Sequence, residues 1–251
     1  GCRLNQIESE SAARFFSDGG FSVQMEGVCA SLAEDNDVIL CIVNTCTVTT
    51  KAEQKARRVI RLLLRKFPRC AMIVTGCYAQ VEPAEIEKID SRIAVLKGMN
   101  KARLSEIPEM LKTYLSFQQK KSEFYTEKSS EAVALNFAET AQSSEVAQSA
   151  QFSQSVQSTD FNSAEFAKIL RNAFFTNAEQ LKSENPFKLS TDTFLSHSRS
   201  SLKIQDGCDC QCTYCRIHIA RGKSVSLEAG EVIRRVNELK NVGQKEVVIT
   251  T

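Results

Sequence analysis

The chain has 251 residues, 42% of them hydrophobic, and its 32 basic and 30 acidic residues leave a formal net charge of +2. That is enough apolar material for one large or two modest buried cores, while the near balance of charge excludes a bulk polyanion binder and confines any nucleic-acid contact to a local patch. No run of about 18 apolar residues occurs, so neither a transmembrane helix nor a membrane partner is expected.

A first helix is predicted over about residues 6–17, ending at Gly19-Gly20. Val38-Ile39-Leu40-Cys41-Ile42-Val43 and Ala71-Met72-Ile73-Val74 are continuous apolar runs of strand length, the pattern of a parallel sheet covered on both faces, and Ile93-Ala94-Val95-Leu96 is a candidate third. Between the first two, Ala52, Ala56, Val59, Ile60, Leu63 and Phe67 recur at helical spacing until Pro68 stops them. Strand, helix and strand predict an α/β, doubly wound parallel-sheet N-terminal domain. The opposite arc of that helix carries Lys51, Lys55, Arg57, Arg58, Arg61, Arg65, Lys66 and Arg69 against the acid Glu53, which makes it either a track for RNA phosphates or a solvated face. A further helix is expected over about residues 101–117, with Pro108 arguing against its continuity.

Over residues 117–199 the composition shifts to Ser, Gln, Glu, Ala and Asn with scattered Phe and no cysteine. So little continuous apolar pattern predicts a low-complexity, largely disordered insertion or linker with a few weak helices. Order is expected to resume over residues 200–251. Ser201-Leu202-Lys203-Ile204 reads as a short strand, and Ser226 as the cap of a helix with Val232, Ile233, Val236 and Leu239 on one face. Gly243 stops that helix before the strand Glu246-Val247-Val248-Ile249-Thr250. Strand, helix and strand are the opening of a βα barrel rather than a closed one. The expected domains are therefore 1–116, 117–199 and 200–251.

The cysteines carry the chemistry. Cys208, Cys212 and Cys215 stand in a CxxxCxxC spacing, and three thiolates on one loop can hold three irons of a 4Fe-4S cluster while leaving the fourth iron open to a chelating substrate. Cys210 supplies a fourth thiol, so a zinc loop, a disulfide knot or a four-ligand electron carrier are the alternatives. Cys46 and Cys77 each follow a predicted strand, and in an open parallel sheet ligands bind beyond the carboxyl ends of strands. Cys2, directly before a helix, occupies a third equivalent loop if a strand precedes Gly1. Gly1 and Gly76, each just before one of these cysteines, suit tight turns. Cys29, Cys41 and Cys70 read as small buried residues. Thiols kept reduced for metal fit the cytoplasm better than a secreted disulfide scaffold.

The segments Gly1-Cys2-Arg3-Leu4-Asn5, Asn44-Thr45-Cys46-Thr47-Val48-Thr49 and Thr75-Gly76-Cys77-Tyr78-Ala79-Gln80, with the loop from Lys203 to Cys215 and Ala220-Arg221-Gly222, resemble the methylthiotransferase family of radical S-adenosylmethionine (SAM) enzymes. The resemblance covers residues 1–116 and 200–251. It implies that residues 200–251 begin a radical SAM βα barrel. It also implies an auxiliary 4Fe-4S cluster on Cys2, Cys46 and Cys77, a SAM-binding 4Fe-4S cluster on Cys208, Cys212 and Cys215, and Tyr214 near the adenine of SAM. The Asn44–Thr49 motif followed by a basic helix is most similar to the branch that adds a methylthio group to C2 of N6-threonylcarbamoyladenosine at position 37 of tRNA. The partners implied are tRNA, through its anticodon-loop adenosine 37, an electron donor and a sulfur donor. A sister activity, which methylthiolates a ribosomal protein, needs the same two clusters. An unactivated aromatic C–H has no acidic proton for a side chain to remove, so no general acid or base is assigned. His218 and Arg221 either contact SAM or close the turn after the cluster loop.

The chain departs from the family pattern in a Ser/Gln-rich stretch where a short linker is usual, in Cys210 where Asn is common and in His218 where Pro is common. It also lacks the rest of the barrel and the C-terminal RNA-binding TRAM domain, so this polypeptide alone is not expected to turn over.

Overall fold

In the computed structural model, which describes residues 2–26, 28, 31–47, 49–125, 149–153, 161–176, 185–189 and 200–251, helix α1 (Arg3–Asp18) starts three residues earlier than expected. Gly19 and Gly20 turn it into strand β1 (Ser22–Glu26), which the sequence pattern did not reveal. The predicted strand, helix and strand follow as β2 (Leu40–Thr45), α2 (Thr50–Lys66) and β3 (Ala71–Gly76). Thr49 caps α2 by accepting a hydrogen bond from the Ala52 amide. Two short helices, α3 (Cys77–Val81) and α4 (Pro83–Glu87), precede β4 (Ile93–Val95).

β2, β3 and β4 pair in parallel. Because side chains alternate across a strand, Leu40, Ile42, Ala71 and Ile73 enter one core while Cys41, Val43, Met72 and Val74 enter the other. The second core is closed by Ala56, Val59, Ile60, Leu63 and Leu64 of α2. The first is closed by α1 and by α5 (Ile107–Tyr125), which continues a 3-10 segment spanning Gly98–Glu106. Pro108 does not break α5. It sits in the first turn, where a backbone N–H has no partner within the helix.

The expectation of a segment without a core over residues 117–199 is corrected at two places. Strand β5 (Ser149–Ser153) lies between β1 and β2 and runs antiparallel to both, giving the order β1-β5-β2-β3-β4. The sheet is therefore mixed, not wholly parallel. Helix α6 (Ser163–Thr176) buries Phe166, Leu170 and Phe174, spaced four apart, in the core beneath α5. The Phe166 ring lies 5.0 Å from that of Tyr114, and burial of such a side chain stabilises by roughly 1.5–3 kcal/mol. Three apolar residues suffice there because the sheet and α5 supply the rest of the core. Of the predicted low-complexity insertion, residues 126–148, 154–160, 177–184 and 190–199 lie outside the described residues.

The last part comprises β6 (Ser200–Lys203), β7 (Gln205–Asp206), α7 (Ile217–Arg221), β8 (Val225–Ser226), α8 (Ala229–Asn241) and β9 (Val247–Thr250). β6 and β9 pair in parallel through the α8 crossover, and β7 pairs antiparallel with β8. Ser226 belongs to β8 and caps nothing; α8 begins after Glu228, which makes no side-chain cap. Gly243 stops α8 with a φ of 87°. Of the expected apolar face only Leu239 is buried, whereas Ile233 is 62% exposed.

Candidate functional site

The parallel register that sets Thr45 opposite Gly76 delivers the next residues, Cys46 and Cys77, from neighbouring strands at the same level of the sheet edge. Gly76 has a φ of 97°, and a Cβ on it would lie 2.2 Å from the Thr45 carbonyl oxygen, so only glycine fits. Thr45 Oγ1 locks the two ends together by donating to the Thr75 carbonyl at 2.5 Å and accepting from the Ala79 amide at 3.3 Å. Cys2 reaches the same edge from the N-terminus of α1. Its thiol donates to Asn5 Oδ1 at 3.3 Å, and Asn5 Nδ2 donates to the Thr45 carbonyl at 2.9 Å. Asn44 Nδ2 returns a bond to the Asn5 carbonyl at 3.1 Å. Cys2 is exposed, Cys46 half-buried and Cys77 buried. Burial pushes the Cys77 thiol up, and the nearby Arg221 and Lys101 cations oppose that shift. The tight turn expected at Gly1 lies outside the described residues, as does Cys29. Cys41 and Cys70 are buried as expected; burial and a hydrogen bond with Cys70 push the Cys41 thiol well up.

The second cysteine loop repeats the device. Gly207, just before Cys208, has a φ of 77°, and a Cβ on it would lie 2.1 Å from the Lys223 carbonyl oxygen. The Cys208 amide donates to the Gly222 carbonyl and the Cys215 amide to the Cys212 carbonyl, both at 3.0 Å. Cys210 is exposed, and its hydrogen bond with Cys208 pushes its thiol up. Tyr214 is 89% exposed. His218 Nδ1 is buried with no hydrogen-bond partner among the described residues.

Among the described residues, no three His, Cys, Asp or Glu side chains close to metal-binding distance. The donor chemistry fits two iron–sulfur clusters nonetheless: the sheet edge offers three thiols from three segments and the second loop at least three more, each site has a glycine that lets the backbone fold close, and cations stand beside the buried Cys77 thiol. Cys2, Cys46 and Cys77 would hold one cluster, and Cys208, Cys212 and Cys215 the other.

Two polar bridges join the loops, and sequence patterns hinted at neither. Glu53, the acid on basic α2, bonds Thr47 just after Cys46 and pairs at 2.7 Å with Arg216 just after Cys215. The larger bridge is buried. Glu8 of α1 pairs with Lys101, and with Lys203 and Arg221 at 3.2 Å each. Asp206 pairs with Lys203 at 2.6 Å and Arg221 at 2.8 Å, and Arg221 Nη2 donates to Asn5 Oδ1 at 3.1 Å. Burial would raise the Glu8 carboxyl, but Lys101, Arg221 and Lys203 overcome it and hold the group well below the usual carboxylate range. Asp206 is held low by Arg221 and Lys203 against the same burial. Arg221 is thus a buried strut between the two loops, not simply the closure of a turn.

The description "Uncharacterized protein family UPF0004" matches residues 1–98. The threonylcarbamoyladenosine tRNA methylthiotransferase MtaB of Treponema pallidum (strain Nichols) is 39% identical over all of this chain, which covers 51% of that protein. Methylthiotransferases are thus what this chain is similar to over its whole length. MtaB of Bacillus subtilis (strain 168) is 27% identical to this chain over its whole length, with 41% of the relative covered. The ribosomal protein uS12 methylthiotransferase RimO of Acetivibrio thermocellus is 26% identical over 99% of the chain, with 43% covered. The chain spans about half the length, or less, of the curated relatives it matches. No described helix is long and apolar enough to cross a membrane.

Proposed function

We propose that this chain is the cluster-bearing part of a cytoplasmic enzyme that adds a methylthio group to C2 of N6-threonylcarbamoyladenosine at position 37 of tRNA. Residues 1–116 carry the auxiliary 4Fe-4S cluster on Cys2, Cys46 and Cys77. Residues 200–251 begin a radical SAM βα barrel whose 4Fe-4S cluster sits on Cys208, Cys212 and Cys215, with residues 117–199 between them. When bound, the two clusters and SAM supply the radical, sulfur and methyl chemistry, drawing on an electron donor and a sulfur donor. The protein's own part is to hold two cysteine loops at a set separation and to present one base between them.

The observation that carries this reading is the pairing of Thr45 with Gly76, which starts Cys46 and Cys77 side by side at the sheet edge that Glu53 and Arg221 tie to the second cysteine loop. Tyr78 supports that edge: its buried ring is fixed where Arg57 donates to its hydroxyl at 2.5 Å and the hydroxyl in turn donates to Glu85 at 3.2 Å. The tRNA substrate is favoured by MtaB relatives that match this chain over its whole length, and by α2. Arg58, Arg61 and Arg65 of α2 line a cleft of about 710 Å³ open to phosphates, in which Arg57 is engaged by Tyr78 and Arg92 by Asp90. The test is nucleoside mass spectrometry of tRNA from cells lacking the gene. Loss of the methylthio group from threonylcarbamoyladenosine, with the isopentenyl analogue unaffected, is expected. Intact tRNA together with an unmodified ribosomal protein overturns the reading in favour of the sister activity.

A further inference from the structure

The buried bridge between the cysteine loops is unbalanced in charge. Lys101, Lys203 and Arg221 contribute three cations to it, and Glu8 and Asp206 two carboxylates. The side chains of both lysines, Arg221 and Glu8 are at most 7% exposed, and that of Asp206 is 14% exposed. Solvent screens such a site weakly, so one positive charge in excess exerts a strong field on whatever lies beside it. What lies beside it is the auxiliary edge: Arg221 grips Asn5, Asn5 holds the Cys2 thiol, and α7, which carries Arg221, packs against α3, which begins at Cys77. Lys101 arrives from the same side, since the segment that carries it begins at Gly98, where a Cβ would lie 2.8 Å from the Gly76 carbonyl oxygen.

We propose that Arg221 is a positioning residue that clamps the Cys208–Cys215 loop to the edge bearing Cys2, Cys46 and Cys77, and that the excess positive charge of its network raises the reduction potential of the cluster at that edge. The proposal rests on the reading that those three cysteines hold a cluster. A cluster bound by three thiolates is anionic and gains further negative charge on reduction, so a buried cation favours the reduced form and a buried carboxylate opposes it. Arg221 serves both purposes because its planar fork reaches Glu8 and Asp206 from one nitrogen and Asn5 from the other, a fixed geometry that a single ammonium does not reproduce.

The test is a dithionite titration followed by EPR on the anaerobically reconstituted protein with Cys208, Cys212 and Cys215 changed to Ala, so that only the auxiliary cluster reports. Arg221→Met is expected to lower its reduction potential and Glu8→Gln to raise it, while Arg221→Lys stays nearer the starting protein than Arg221→Met. Opposite shifts from two changes that both break the network are the signature of charge, since simple loosening would move both variants the same way. If Glu8→Gln does not fold, Asp206→Asn carries the upward arm; if Arg221→Met does not, Lys101→Met carries the downward one. Unmoved potentials, or shifts of one sign, overturn the proposal while leaving the cluster assignment intact. Iron that survives the further change of Cys2, Cys46 and Cys77 to Ala overturns both.

Discussion

Gly76 and Gly207 perform the same task 131 positions apart: each adopts a left-handed backbone hard against a carbonyl oxygen and thereby swings the following cysteine out of its strand or loop. A side chain at either position would have to displace backbone, so the two thiol sites depend on residues that carry no functional group at all. Cys210 lies outside both triads. Its thiol is exposed and bonded to Cys208, so it neighbours the second site without completing it. The reconstituted protein is accordingly expected to bind about eight irons, two clusters of four. Changing Cys2, Cys46 and Cys77 together to Ala should remove about half of that iron, whereas Cys210→Ala should remove none. Iron near zero in the first variant would mean that the triads share one site, and a large loss in the second would mean that Cys210 is a ligand.

At the scale of elements, what the sequence made legible is what has a period. The apolar runs ending at Val43 and Val74 and the helical stripe of Ala56, Val59, Ile60 and Leu63 all recur in the structure, because a strand buried on both faces and an amphipathic helix write themselves into residue spacing. β5 and the core packing of α6, one of the weak helices expected there, leave no such period. Ser149–Ser153 is a short polar strand whose partners lie more than a hundred residues upstream, and α6 buries Phe166, Leu170 and Phe174 within a stretch otherwise dominated by polar residues. The cysteines of the candidate site were legible, but the charges that join them were not. Glu8, Lys101, Lys203 and Asp206 are ordinary surface types until the fold buries them together. α2 shows how far pattern alone can go. Its Lys51, Lys55, Arg58, Arg61 and Arg65 are exposed, while Arg57 is engaged with Tyr78. If the exposed arginines follow tRNA phosphates, changing Arg58, Arg61 and Arg65 to Gln should weaken tRNA binding by the complete enzyme. The slope of log affinity against log salt should fall by up to about three phosphate contacts, without changing which base is modified. An unchanged affinity across a salt series would return this face to the solvent.

Taken as a whole, the molecule is joined across its length by the charges of one buried site. α1, the Gly98–Glu106 segment, β6, β7 and α7 all send a side chain into the network around Glu8 and Asp206. Sequence neighbours could not build this core, since Glu8 and Arg221 lie 213 positions apart. The stability that these contacts contribute must depend on pH. Both carboxyls are held below their ordinary range in the folded protein and revert to about pH 4 when the chain unfolds. The unfolded state therefore binds more protons between those limits. Their contribution is fully present above about pH 5 and declines as pH falls through and below the ordinary carboxylate range toward the lower folded values. Measured by urea unfolding of the metal-free protein, so that loss of a cluster does not intrude, stability should decline steeply below about pH 5. Glu8→Gln should be less stable at pH 7 by about 3–5 kcal/mol, the usual consequence of breaking a buried ion pair, and its decline at acid pH should be shallower because one of the two depressed carboxyls is gone. Parallel acid declines in the two proteins would mean that Glu8 does not titrate with the fold, and that the network binds the two cysteine loops by shape and hydrogen bonds rather than by charge.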